Sequence, residues 1–161
     1  MPRLTVAQTG GENVSAFLDM IAVSEIGVEM LAESDDGYNV LVGSTIEKPL
    51  LFSSYADHPN IYNKEMDSDA AGRYQIMAHW WPAYKKILKL PDFGPVSQDW
   101  YALRQICEQH AFDLIKHGQI VLAMLRVSNI WASLPGSQYN QHTNSKDYLI
   151  AAYEQAGGIL K

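Results

Sequence analysis

A chain of 161 residues is long enough for one domain with its own buried core. Hydrophobic residues at 47% and charged residues at 19% fit a globular fold and exclude a disordered chain. The formal net charge of −6 disfavours a nucleic-acid duplex or an anionic membrane surface as partner. The single cysteine, Cys107, excludes an intrachain disulfide framework, and its apolar helical neighbours predict inert packing. The longest apolar run, around Ile120 to Leu125, is far shorter than the roughly 20 residues a membrane span needs, so no membrane insertion is expected. Residues 1–12 carry no apolar core or cleavage signature of a secretory signal.

In chain order, residues 1–12 are polar and Gly-containing and read as a loose N-terminal arm. Asn13 or Ser15 can cap a first helix, on which Val14, Phe17, Leu18, Ile21 and Ala22 fall on one face and which Gly27 stops. Asp35-Asp36-Gly37 is a turn signal. Tyr38 to Val42 and Leu50 to Tyr55 then read as extended runs, predicting a small β-hairpin or sheet lobe over 36–58. Ala70 to Trp80 predicts a helix, and Pro82 opens another that ends near Leu90. Ser97 caps a helix carrying Trp100, Leu103, Ile106 and Cys107, and Ile120 to Val127 resumes after Gly118. Ser145 to Ala156 is the last helix, closed by Gly157-Gly158. The pattern is α+β and mostly helical, in a single domain over 1–161 with the small β lobe after the first helix. The helical spacing of Trp80, Trp81, Trp100 and Trp131 reads as core.

One residue breaks the first helix's pattern. Seven residues on from Leu18 and four from Ile21, the apolar face arrives at an acid, Glu25. It lies in the last turn, where burial and the helix's negative end both oppose ionisation. A carboxyl that keeps its proton near neutral pH is what general acid catalysis requires. On periodicity alone, the competing reading is that the helix ends early and Glu25 points to water.

Four segments resemble the lambda-type phage endolysins of the lysozyme-like superfamily. They are Phe17-Leu18-Asp19-Met20-Ile21-Ala22-Val23-Ser24-Glu25, Gly37-Tyr38-Asn39-Val40, Ala71-Gly72-Arg73-Tyr74-Gln75 with Trp80-Trp81, and Ser128 to Gly136. The similarity runs in order from about Phe17 to Gly158. It implies a lysozyme-like fold with Glu25 as the sole catalytic acid. It also implies lytic transglycosylase activity, cleaving the β-1,4 bond between N-acetylmuramic acid and N-acetylglucosamine in peptidoglycan to leave a 1,6-anhydro end. No metal and no organic cofactor are implied. Asp36, Tyr38, Asn39, Gly72, Tyr74, Gln75, Tyr139 and Asn140 become candidate sugar-binding residues.

Relatives often carry an acid where this chain has Asn39, and an amide can neither act as a base nor attack carbon. A hydrolytic muramidase would need Asp35, Asp36 or Asp57 as its second carboxylate. A non-catalytic wall-binding or tail-associated module is the alternative outside the enzymes. The five histidines show no metal-ligand spacing, and no Gly-x-Ser-x-Gly element occurs. The resemblance further implies a monomer held in the host cytoplasm until a pore-forming holin opens the membrane.

Overall fold

The computed structural model describes residues 3–137 and 143–161; Tyr139 and Asn140 lie outside them. Among the described residues the helices are α1 (Val6–Thr9), α2 (Glu12–Ile26), α3 (Val28–Ala32), α4 (Trp81–Leu88), α5 (Pro95–Glu108), α6 (Phe112–Lys116), α7 (Ile120–Val127) and α8 (Lys146–Gln155). The chain forms two compact units. One comprises Ile26–Tyr101 with Arg3, the other Leu4–Glu25 with Ala102–Lys161.

In the second unit, α2 buries Val14, Phe17, Leu18 and Ile21 completely, as their spacing predicts. Ala16 and Met20 are buried as well, so most of the helix circumference meets protein. The helix starts at Glu12 and uses neither predicted cap. Asn13 Oδ1 accepts from the Ile159 N–H (2.9 Å), and Ser15 Oγ pairs with Thr9 Oγ1 (2.6 Å). The expected loose arm is instead helical at α1. Thr5 and Gln8 cap each other's backbone there in a capping box, and Leu4 is buried. α7 and α8 form where the sequence places them, and Ser145 Oγ caps α8 by accepting from the Tyr148 N–H.

The first unit departs further from expectation. The predicted β lobe over 36–58 reduces to isolated antiparallel bridges, Val40 with Leu51 and Leu41 with Ala71, and further bridges lie beyond it at Asn63–Ser68 and Ala71–Ile76. Side chains take backbone positions that a ladder would use: Ser44 Oγ accepts from the Leu50 N–H, and Asn63 Nδ2 donates to the Val42 carbonyl. No helix forms over 70–80. Gly72 (φ 80°) and Gln75 (φ 47°) are both left-handed and close a turn within the Ala71–Ile76 bridge. α4 carries Pro82 in its first turn, as read.

α5 begins at Pro95, before the predicted Ser97 cap. Asp92 Oδ1 accepts from both Ser97 Oγ (2.9 Å) and the Gly94 N–H (2.8 Å). Half of the tryptophan expectation is corrected too. Trp81 and Trp131 are buried, but Trp80 precedes α4 and is 55% exposed, and Trp100 is 39% exposed. Trp100, Arg104, Cys107 and Glu108 share the outer stripe of α5, so Cys107 is exposed rather than packed.

Candidate active site

Glu25 occupies the last turn of α2, one residue before the helix ends and the chain turns through Gly27 (φ 83°). The residue is half-buried, with its carboxyl at the protein-facing end. Burial is the largest influence on that carboxyl and pushes its pKa from 4.5 up to about 7, against the lowering effect of the Ser133 hydroxyl and the Ser133 N–H, both donors to it. Ser133 Oγ donates to Oε1 in a short hydrogen bond. Behind it, Ser24 Oγ lies 2.8 Å from Ser133 Oγ, and Asn144 Nδ2 donates to Ser24 Oγ and to the Ser24 carbonyl, each at 3.0 Å. The Asn144 N–H donates to the Ser133 carbonyl (2.8 Å), joining the 131–137 segment to the residues before α8. The arrangement presents a carboxyl about half-protonated at neutral pH, with Oε1 held by Ser133. It can lend and recover a proton.

The first unit holds the other candidates around a buried polar pair on α5, Gln98 and Asp99, both fully buried. Gln98 Oε1 accepts from the Arg73 N–H (2.9 Å), and its Nε2 donates to the carbonyls of Tyr38 (2.9 Å) and Phe93 (2.7 Å). Asp99 Oδ1 accepts from the hydroxyls of Tyr38 (2.8 Å) and Tyr74 (2.7 Å). Both tyrosines are buried, and burial followed by the charge of Asp99 raises their pKa values far above the usual range. This corrects the expectation that Tyr38 and Tyr74 contact sugar: their hydroxyls are engaged inside the fold.

Gly72 sits against Gln98, where a Cβ would lie 2.2 Å from Oε1, so the glycine serves a close approach within the protein. Gln75 and Asn39 remain half-buried with polar atoms to offer. Gln75 Nε2 donates to the Gly72 carbonyl (2.9 Å), leaving Oε1 available, and Asn39 Oδ1 accepts from the Asp35 N–H (3.0 Å), leaving Nδ2 available.

The three alternative carboxylates are all occupied. Asp35 Oδ2 accepts from the Tyr55 hydroxyl (2.9 Å). Asp36 pairs with Arg73 (2.6 Å), which also donates to the Asp36 carbonyl and covers the Tyr38 ring. Asp57 accepts from Trp81 Nε1 (2.6 Å) and pairs with Lys85 (3.1 Å). Partial burial pushes the Asp57 carboxyl up, but these donors outweigh it and hold it below the usual range.

A family model of endolysins matches residues 15–160. The endolysin of Escherichia phage P2 is 42% identical over 156 residues, covering 92% of this chain and 94% of that one. The endolysin of Escherichia phage lambda is 46% identical over 151 residues, covering 91% and 92%. The chain belongs to the endolysin family. Of solved structures, a bacteriophage lambda lysozyme complexed with a chitohexasaccharide matches this endolysin over the whole of both chains, with a TM-score of 0.86 at 42% identity. A second structure of the lysozyme from bacteriophage lambda gives 0.81 at 40%. The fold is therefore lysozyme-like and mostly helical, and the protein is a peptidoglycan-degrading enzyme of host lysis.

Several residues that build this endolysin's site escape a sequence reading. Asp99 carries the same signal as Glu25, an acid on an apolar helix face, four residues before Leu103 and seven before Ile106. What separates them is exposure: Asp99 is sealed under two tyrosines, whereas Glu25 keeps access to solvent. Ser133 and Asn144 are more than a hundred residues from Glu25; Ser133 falls within the Ser128 to Gly136 segment without a role attached to it, and Asn144 falls outside all four segments.

Proposed function

We propose that this endolysin is a lytic transglycosylase in which Glu25 is the sole catalytic acid, acting on the β-1,4 bond between N-acetylmuramic acid and N-acetylglucosamine. The observation that carries this reading is the Glu25 carboxyl itself, desolvated, pinned by Ser133 and protonated up to a pKa of about 7. In the first half of the reaction Glu25 gives its proton to the glycosidic oxygen as the bond from the anomeric carbon breaks. The carboxylate left behind then takes the proton of the muramic acid 6-hydroxyl while that oxygen bonds to the anomeric carbon, closing the 1,6-anhydro ring. No water enters and Glu25 ends as it began. Attack from within the same sugar has the advantage of proximity and needs no second carboxylate.

The engagement of Asp35, Asp36 and Asp57 with Tyr55, Arg73 and Trp81 supports a one-carboxyl mechanism over a hydrolytic one. The oligosaccharide in the related lysozyme's structure supports a glycan strand as ligand. Gln75 Oε1 and Asn39 Nδ2, an acceptor and a donor, suit the N–H and carbonyl of an N-acetyl group. Tyr139 and Asn140 complete the sugar-binding set, and the whole chain acts as one catalytic domain. In this reading the enzyme waits as a cytoplasmic monomer for a holin to open the membrane; no helix among the described residues is long and apolar enough to cross one. Mass spectrometry of muropeptides released from purified peptidoglycan tests the proposal. Products ending in 1,6-anhydromuramic acid are expected, and products with reducing ends, heavier by one water, would overturn it.

A further inference from the structure

Glu25 is the last member of a hydrogen-bond chain whose direction is dictated at its far end. The Ser24 carbonyl can only accept, so the Asn144 atom 3.0 Å from it is the amide nitrogen and not the oxygen. That same nitrogen donates to Ser24 Oγ. The carbonyl belongs to the last turn of α2, which has no helical N–H to pair with, so Asn144 also satisfies a helix end. Ser133 Oγ, for its part, donates its one proton to Glu25 Oε1. The contact between the two hydroxyls can then run only one way: Ser24 donates to Ser133.

We propose that Asn144, Ser24 and Ser133 are positioning residues, a directional relay that keeps a hydroxyl proton aimed at Glu25 Oε1. An oxygen that accepts from a hydroxyl does not itself carry the acidic proton, so the relay biases that proton away from Oε1 and toward transfer to the glycan. The inference rests on Glu25 being the acid, and it deepens that reading by naming what orients it. Among the described residues no charged side chain acts on Glu25; burial and the two Ser133 donors are the influences on its carboxyl. Burial raises its pKa, and the hydrogen bonds from Ser133, rather than a field of charges, are what oppose that rise.

Asn144→Asp tests the direction. A carboxylate in that place draws the Ser24 proton toward itself. Ser24 Oγ must then accept from Ser133, and Glu25 loses its hydroxyl donor while keeping the Ser133 N–H. The readout is the titration of the Glu25 carboxyl in the full-length protein, followed by carbon-13 NMR, which does not depend on turnover. Asn144→Asp is expected to move that titration up by about one pH unit, as Ser133→Ala should as well, because a hydrogen bond to a charged group is lost.

The new carboxylate also repels Glu25 directly, and a Ser24→Ala background separates the two effects, since it breaks the relay and leaves the charge. The shift from Asn144→Asp is expected to fall to less than half in that background. An equal shift in both backgrounds, or none in either, would overturn the proposal. If Asn144→Asp does not fold, Ser24→Ala alone decides: turnover falling several-fold with an upward titration supports the relay, and unchanged turnover and titration refute it. Failure of the acid assignment would appear separately, as turnover retained in Glu25→Gln.

Discussion

Glu25 is held in a state that favours chemistry over stability. Below pH 4.5 its carboxyl is neutral in both the folded and the unfolded chain, and its burial carries no ionic cost. As pH rises from there the unfolded chain releases the proton while the folded one keeps it, up to about pH 7. Stability therefore falls across that window and stays lower above it, by at most about 3 kcal/mol, less for what solvent reaches the carboxyl. Glu25→Gln removes the titration. The variant is expected to gain on the wild type from pH 4 to pH 8 in denaturant melts, ending up the more stable of the two; parallel pH dependences would show that the carboxyl is not desolvated. Periodicity placed an acid on the buried face of α2 but could not say whether it was sealed, and Asp99, with the same signal on α5, is the counter-example. Burial by distant segments separates the two.

At the scale of elements, the turn at 72–75 shows why local pattern failed. Ala70 to Trp80 has a composition compatible with a helix, and only Gly72 argues against one. The deciding contact comes from α5, where Gln98 fills the space beside Gly72 and takes the Arg73 N–H. No window of sequence around residue 72 contains that information. Gly72→Ala should cost about 3 kcal/mol in urea unfolding, from left-handed strain plus the displaced Gln98 hydrogen bonds. Gly157 has a similar φ of 93° with nothing within 4 Å of an added Cβ, so Gly157→Ala should cost only about 1 kcal/mol. Equal costs would mean that Gln98 does not brace the turn. Where helices are set by their own residues, as in α7 and in α8 with its Ser145 cap, the pattern and the structure agree. The bridges of the first unit were legible only as extended chain, because Ser44 and Asn63 take backbone partners that longer strands would have used.

For the whole molecule, composition set bounds and motifs set the class. The net charge of −6 and the lone cysteine removed alternatives without naming a fold, whereas the four ordered segments carried the endolysin resemblance that the relatives then established. The site was legible in outline only. Glu25 is half-buried in the second unit, Asn39 and Gln75 are half-buried in the first, Tyr38 and Tyr74 belong to the interior with Asp99, and Tyr139 and Asn140 lie outside the described residues. That outline contained Ser133 only as part of the Ser128 to Gly136 segment and gave no role to it or to Asn144, both of which reach the acid only through the fold. The account stands on one carboxyl doing the proton transfers of both halves of the reaction. Its most direct test is the turnover of purified peptidoglycan by Glu25→Gln, with the variant's melting curve taken alongside. A folded protein whose turnover falls by about a thousandfold is predicted; a folded protein that still clears the wall at a near-normal rate would contradict it.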